Sequence, residues 1–261
     1  KNMNDHEQSY YNALRLVVGS NPKKTIEIAD VKTGIIDTAL GYAKGDHPKT
    51  YNILSLGCSL VATGLAKRGH NVRAIYCPEG QRNFLAETFE GVPGYKDTIE
   101  GMEHTLEHEI KEGNTYDIVL GLDQTMTYFN TEDEQREFIN QIAKVTKGKF
   151  ITSLVDYKNQ TSQSRMADLP LTININGKQN LFMNHRTWNP VDRQNYENNW
   201  LHIEEDKLIG SSKTKRRTMF FKQLAKFSSD AGSTGFTIHK NLFYKPLINK
   251  TFEHVISIDY V

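Results

Sequence analysis

The segment NILSLGCSLVATGLAKRGHNVRAIYC, residues 52–77, constrains the fold more than any other stretch of the chain. It opens with a short apolar run that ends on Gly57, after which Leu60, Val61, Gly64 and Leu65 suit one packed helical face. NVRAIYC follows as a second run with β-branched and aromatic content. A strand, a tight turn, a helix and another strand in that order predict two parallel strands joined by a right-handed crossover.

The alternation then repeats. PEGQRNFLAETFEG begins with Pro near a helical first turn and ends on Gly91; TIEGM is a weak strand, and EHTLEHEIKEG is a polar helix that stops at Gly113. TYDIVLGLD has the continuous apolar character of a buried strand. TEDEQREFINQIAKVTKGK is amphipathic, with Phe138, Ile139, Ile142 and Val145 facing inward, and FITSLVDY is another strand. Strands alternating with helices predict an α/β fold, doubly wound around a mostly parallel sheet. Ahead of this core, residues 1–49 carry two helical patterns, around Tyr10 to Val18 and Val31 to Ala43, separated by SNPKK.

The core is expected over residues 50–157. Residues 158–215 turn polar and read as an insertion or cap over the acceptor, with a hairpin at Asn176-Gly177. HRTWNPVDRQNYENNWLHIEED fits no single element. Residues 216–261 then supply a helix in RRTMFFKQLAKFSSDAG, ending at Gly232, and two closing strands, FTIHKNLFY and FEHVISIDY.

With 38% hydrophobic and 24% charged residues among 261, the chain can bury its own core and is of ordinary globular composition. Thirty-two basic against thirty-one acidic residues leave a net charge of +1, so no chain-wide field draws it to nucleic acid or an anionic membrane. The densest basic run is KTKRR, with Lys213, Lys215, Arg216 and Arg217; it is either a phosphate or RNA contact or a solvated loop. Cys58 and Cys77 can pair only once, and a reducing compartment is the simpler expectation. No apolar run approaches the roughly 20 residues that span a bilayer, and KNMNDHEQSYY lacks a signal-peptide core. A soluble, cytoplasmic protein with no membrane partner is expected; nothing indicates its oligomeric state.

In an open parallel sheet, ligands lie beyond the carboxyl ends of the strands, near the point where strand order reverses. The first strand delivers Leu56, Gly57, Cys58 and Ser59 to that edge. There Gly57 either lets the backbone approach a ligand or serves only as a tight-turn residue. His104 and His108, four apart and beside Glu103 and Glu107, have a spacing that can place two imidazoles on one helix face, but no third convergent ligand is evident and no metal is expected.

The blocks ILSLGC, LAKRGHNVRAIYCPE, TIEGMEH, YDIVLGLDQTMTYF and QIAKVTKGKFITSLV fall in the order and spacing of class I S-adenosylmethionine-dependent methyltransferases, and the chain resembles that Rossmann-like family over residues 50–156. The resemblance implies a seven-stranded, mostly parallel sheet with an antiparallel closing strand, N-terminal helices and an inserted cap. It also implies S-adenosylmethionine as cofactor, held by Leu56, Gly57, Cys58, Ser59, Tyr76, Cys77, Glu79, Met102, Glu103, Leu122, Asp123 and Gln124. The sequence departs from the family pattern at two places. Ser55 stands where an acid is usual, with Ser59 and Val61 in place of later glycines; and Tyr76 or Cys77 stands where an acid usually grips the ribose, with Glu79 slightly farther on.

Transfer of a methyl group to a small-molecule acceptor is the function so implied. Methyl transfer depends largely on orientation, so a dedicated base is optional; Asp123, His185 and His202 are the candidates for an acceptor of high pKa. Tyr10, Tyr11 and Trp188 are candidate acceptor contacts. Two alternatives stand beside this one: a catalytically degenerate binding or scaffolding protein on the same fold, and an RNA or protein methyltransferase that uses KTKRR.

Overall fold

In the computed structural model, the described residues are 27, 30, 33–34, 36–41, 49–57, 59–77, 79, 82, 100–101, 103–122, 125–155, 165–167, 170–239 and 253–260. The helix expected around Tyr10 to Val18, and the site candidates Tyr10, Tyr11, Cys58, Met102, Asp123 and Gln124, lie outside them.

The strand-turn-helix unit folds as expected, with β1 at Asn52–Leu56, α1 at Leu60–Lys67 and β2 at Asn71–Ile75. After α2 (Leu106–Lys111) come β3 (Tyr116–Gly121), α3 (Glu132–Val145) and β4 (Thr146–Val155). Thr131 caps α3 by accepting from the Glu134 amide while Glu134 reaches back to the Thr131 amide, which fixes where the helix starts. β1 pairs in parallel with β2 on one side and with β3 on the other, and β3 pairs in parallel with β4.

The sheet is completed after α4 (Phe221–Asp230) by β10 (Gly235–His239) and β11 (Glu253–Asp259). β11 inserts antiparallel between β4 and β10, giving the order β10-β11-β4-β3-β1-β2. Six strands are assigned among the described residues, against the expected seven. Beyond β2, where TIEGM was expected to add a strand, Glu100 donates to the Ala74 carbonyl at 2.8 Å and accepts from the Cys77 amide at 3.3 Å.

Successive residues of a strand point to opposite faces, so this sheet needs apolar cover on both. Leu54 and Leu56 join Phe138, Ile139, Ile142 and Phe227 on one face, while Ile53 joins Val61, Leu65, Ile36 and Ala39 on the other. The four α3 residues expected to face inward are all buried. N-terminal helical residues, Ile36 and Ala39 among them, therefore belong to the core of the sheet. Thr33 lies against Gly64, where a Cβ would overlap the threonine hydroxyl, and buried Asp37 pairs with Arg68 just past α1.

The polar insertion is a second, antiparallel sheet. It comprises β5 (Arg165–Ala167), β6 (Leu171–Ile175), β7 (Lys178–Trp188), β8 (Asn195–Glu204) and β9 (Lys207–Arg217). β7 pairs with β5, β6 and β8, and β8 pairs with β9. The β6–β7 hairpin turns at Asn176 and Gly177, with φ of 53° and 83°, as a type I′ turn requires. The HRTWNPVDRQNYENNW stretch is a longer hairpin, and KTKRR is part of β9 rather than a loop. No helix among the described residues is long and apolar enough to cross a membrane.

Candidate functional site

Chain order reverses at β1: the chain passes from β1 outward to β2, then returns to build β3 on β1's other side. The carboxyl ends of β1 and β3 therefore frame the crevice where a ligand of this architecture sits. Gly57 leaves β1 with φ of +95°, and a Cβ there would meet no atom within 4 Å, so conformation rather than crowding selects glycine. Two bonds hold the turn: the Gly57 amide donates to the Ile75 carbonyl at 2.7 Å, and the buried Ser55 hydroxyl donates to the Gly57 carbonyl at 2.6 Å. Ser55 thus braces the turn from within. Ser59 caps α1, its hydroxyl accepting from the Ala62 amide at 3.0 Å. The cap takes one first-turn donor, and the amides of Leu60 and Val61 begin the helix at the crevice.

At the end of β2, Tyr76 adopts φ of 57°. Its hydroxyl accepts from the Leu106 amide at 2.9 Å, and its ring lies 6.3 Å from that of Phe138. Burial raises the phenol's pKa, the Leu106 bond opposes this, and Glu107 adds to it. Tyr76 is therefore a neutral cap on α2, its side chain committed to the α2–α3 side of the sheet. Cys77 is fully buried and disulfide-bonded, so the cysteines lend no support to a reducing compartment. Glu79 is exposed on a helical residue after β2, and Glu103 is exposed with its carboxylate folded over Gly101.

Beyond β3, Leu122 is buried and its carbonyl accepts from the Thr125 hydroxyl at 2.5 Å. Residues Thr125–Thr127 form a 3-10 turn that leads to α3. The expected ligand residues Leu56, Gly57, Ser59 and Leu122 thus come to one edge, while Tyr76 faces away from it.

His104 and His108 do not share a helix face, because His104 precedes α2; their rings stack at 5.1 Å. His108 takes part in capping α2 at Thr105. His104 instead reaches the fully buried Glu109 carboxylate at 2.6 Å, which also holds Arg73 at 3.0 Å, Tyr116 at 2.5 Å and Asn114 at 2.8 Å. Burial alone would raise the Glu109 pKa, but these hydrogen bonds and the Arg73 charge bring it below the ordinary value. Tyr116 is shifted well up by burial and by Glu109. Glu112 brings a third ligand atom near His104 and Glu109, but Glu109's oxygens are already occupied by Arg73, Tyr116 and Asn114. The cluster locks α2 to β2 and β3.

The antiparallel sheet meets the crevice at one end. Across β7, β8 and β9, Trp188 is level with Tyr196 and Arg216. Trp188 and Tyr196 stack at 5.0 Å and pack against Val155, the last residue of β4, and Phe220. Arg216 lies over the Tyr128 ring at 3.9 Å and donates to the Thr127 hydroxyl at 3.4 Å. The candidate Trp188 is thus near the edge. His202 is level with Phe182, six residues along β7 from Trp188, which is about 20 Å at 3.3 Å per residue. It stacks on Phe182 at 4.5 Å and shares a hydrogen bond with Asn180 at 2.7 Å; burial lowers its pKa. His185 is one residue out of phase with Trp188 and Arg186, hence on the opposite face. Neither histidine joins Trp188 at the edge.

KTKRR is largely engaged. Lys213 pairs with Glu197 at 2.7 Å, Arg216 stacks on Tyr128, and Arg217 bonds Gln194 and lies 3.9 Å from Asp192 and 4.0 Å from Glu132. The sequence did not single out Tyr128 or Gln135. Its available signal was an aromatic in DQTMTYF at the carboxyl end of a buried strand.

No protein-family model matches the sequence, and no curated protein matches it. Solved structures do. The CcbJ methyltransferase from Streptomyces caelestis aligns with a TM-score of 0.65 and 15% identity over 88% of each chain. An S-adenosylmethionine-dependent methyltransferase from Clostridium acetobutylicum aligns with a TM-score of 0.66 and 11% identity over 95% of this chain and 98% of that one. An amino pentose methyltransferase of calicheamicin biosynthesis from Micromonospora echinaspora, solved with S-adenosylmethionine bound, gives a TM-score of 0.63 at 12% identity, covering 94% and 95%. Strand order, the turn at Gly57 and these alignments agree: the chain has the fold of the class I S-adenosylmethionine-dependent methyltransferases.

Proposed function

We propose that the protein transfers a methyl group from S-adenosylmethionine to a small-molecule acceptor. The observation that carries this reading is the turn at Gly57, placed at the topological switch point with the start of α1 beside it and the Trp188 end of the antiparallel sheet at the same edge. The similar structures include small-molecule and sugar methyltransferases.

The residues present fit the cofactor unevenly. The amides at the start of α1 suit its methionine carboxylate, which helix starts favour. Tyr76 cannot supply the two acceptors a ribose diol takes from a carboxylate, because its hydroxyl already serves Leu106. Glu79 is the carboxylate nearest in sequence to the end of β2 and would take that place. When bound, S-adenosylmethionine supplies a methyl on a sulfonium, open to in-line displacement by an acceptor lone pair. Ser55 and Ser59 keep the turn and the start of α1 in shape, and Trp188 contributes to the acceptor side. Asp123, which follows β3 in the sequence, is the candidate to hold the acceptor's proton; His202, on β8 and level with Phe182, is too far from Trp188 for that task.

A second reading, a binding module without catalysis, draws support from Tyr76's commitment to α2. Titration calorimetry with S-adenosylmethionine and S-adenosylhomocysteine decides between them: binding of both supports the enzyme, and no heat at millimolar ligand refutes it. RNA as acceptor is disfavoured because Lys213, Arg216 and Arg217 are already engaged within the chain.

A further inference from the structure

The geometry points to Tyr128 and Arg216 as positioning residues that couple the cofactor loop after β3 to the antiparallel sheet, so that occupation of the crevice is transmitted to the face carrying both tryptophans. This rests on the cofactor reading above, since it takes the loop after β3 as part of the cofactor site.

Three contacts join the end of β9 to that loop. The Arg216 guanidinium covers the Tyr128 ring at 3.9 Å, and the same group donates to the Thr127 hydroxyl at 3.4 Å. Fully buried Gln135, in the first turns of α3, donates to the Met126 carbonyl at 2.9 Å and to the Arg217 carbonyl at 3.4 Å. Residues 126–128 are therefore gripped through one carbonyl, one hydroxyl and one ring, all by partners on, or shared with, β9. At its other end the Thr125 hydroxyl donates to the Leu122 carbonyl at 2.5 Å. Residues 126–128 are thus joined to Arg216 and Arg217 through packed, hydrogen-bonded atoms.

Arg216 is level with Tyr196 and Trp188 across the sheet, and Trp200 is on the same face of β8, four residues from Tyr196. The tethers are of unequal character. Gln135 is buried and its amide bonds are structural, whereas Tyr128 is 51% exposed and is tied to β9 by the stacked cation. Tyr128 is thus the member that can be removed without opening the core.

The chain has two tryptophans, Trp188 and Trp200, both on the antiparallel sheet, so tryptophan emission reports on the surroundings of that sheet. The test is emission together with calorimetry, using S-adenosylhomocysteine as the probe, on wild type, Tyr128→Phe, Tyr128→Ala and Arg216→Ala. Saturating probe is expected to change the emission of wild type and of Tyr128→Phe, which keeps the ring. In Tyr128→Ala and Arg216→Ala the change disappears. No heat in wild type overturns the cofactor reading and this one with it. Heat with unchanged wild-type emission, or an emission change that persists in Tyr128→Ala, overturns the coupling alone.

Discussion

Replacing Glu109 by glutamine changes one charge and two acceptor sites without altering volume. The carboxylate accepts from Arg73, His104, Tyr116 and Asn114 and is fully buried. A glutamine keeps one acceptor oxygen, and its amide group turns two hydrogens toward groups that themselves donate. Tyr116 can rotate its hydroxyl to accept, but Asn114 or Arg73 loses its partner. One lost charge-assisted bond plus one unsatisfied buried donor costs about 3 kcal/mol, with Arg73's partial exposure and its 3.5 Å contact with Glu100 limiting the total. For a chain of this size that lowers Tm by about 6–12 °C in a scanning calorimeter.

The same substitution has a pH signature. Glu109's pKa is lower folded than unfolded, so its stabilisation is fully present above the unfolded value and is lost as pH falls through the folded one. The wild-type advantage over Glu109→Gln should be constant above about pH 5 and shrink below about pH 4. A Tm loss under about 2 °C, or a difference that grows on acidification, would refute the account of Glu109 as an ionised brace.

Other outcomes follow from the crevice. Gly57→Ala places a Cβ in open space but forces an L residue to φ of +95°, so urea titration should show a loss of about 1–2 kcal/mol, and probe binding should weaken beyond that of a surface control. Glu79→Ala should reduce S-adenosylhomocysteine affinity by about ten-fold if it takes the ribose hydroxyls, with Tm of the free protein unchanged; equal affinity assigns the ribose elsewhere. Because Lys213 is paired with Glu197 across the strands, Lys213→Ala should leave retention on RNA at any salt concentration no different from wild type.

Legibility in the sequence followed how local each determinant is. β1, the turn, α1 and β3 could be read because apolar runs are short and bounded, with a glycine at the turn, and α3 because Phe138, Ile139, Ile142 and Val145 recur at helical spacing. The Asn176-Gly177 hairpin was equally plain. β7 and β8 were not: Trp188, Arg186 and Asn184 alternate with Thr187 and His185, so a period of two is present but is carried by polar and aromatic residues alike. β9 read as a basic loop because its charges are answered across the strands and beyond the sheet, by Glu197, Tyr128 and Gln194. EHTLEHEI looked like a solvated helix because the residues that bury Glu109, Arg73 and Tyr116, come from β2 and β3. At the site, Gly57 declared its turn, but Tyr76's orientation depends on Leu106, which no spacing rule connects to it.

The close approach of Thr33 to Gly64 bears on how far this chain can be divided. A side chain at position 64 would force Thr33 to move, in the same helical stretch as Ile36 and Ala39, which cover Val61 and Leu65. The segment that precedes the first strand is therefore not a detachable appendage in the folding sense. Trimming to residue 50 would remove Ile36 and Ala39 from the cover over Val61 and Leu65 and leave α1 exposed on its outer side.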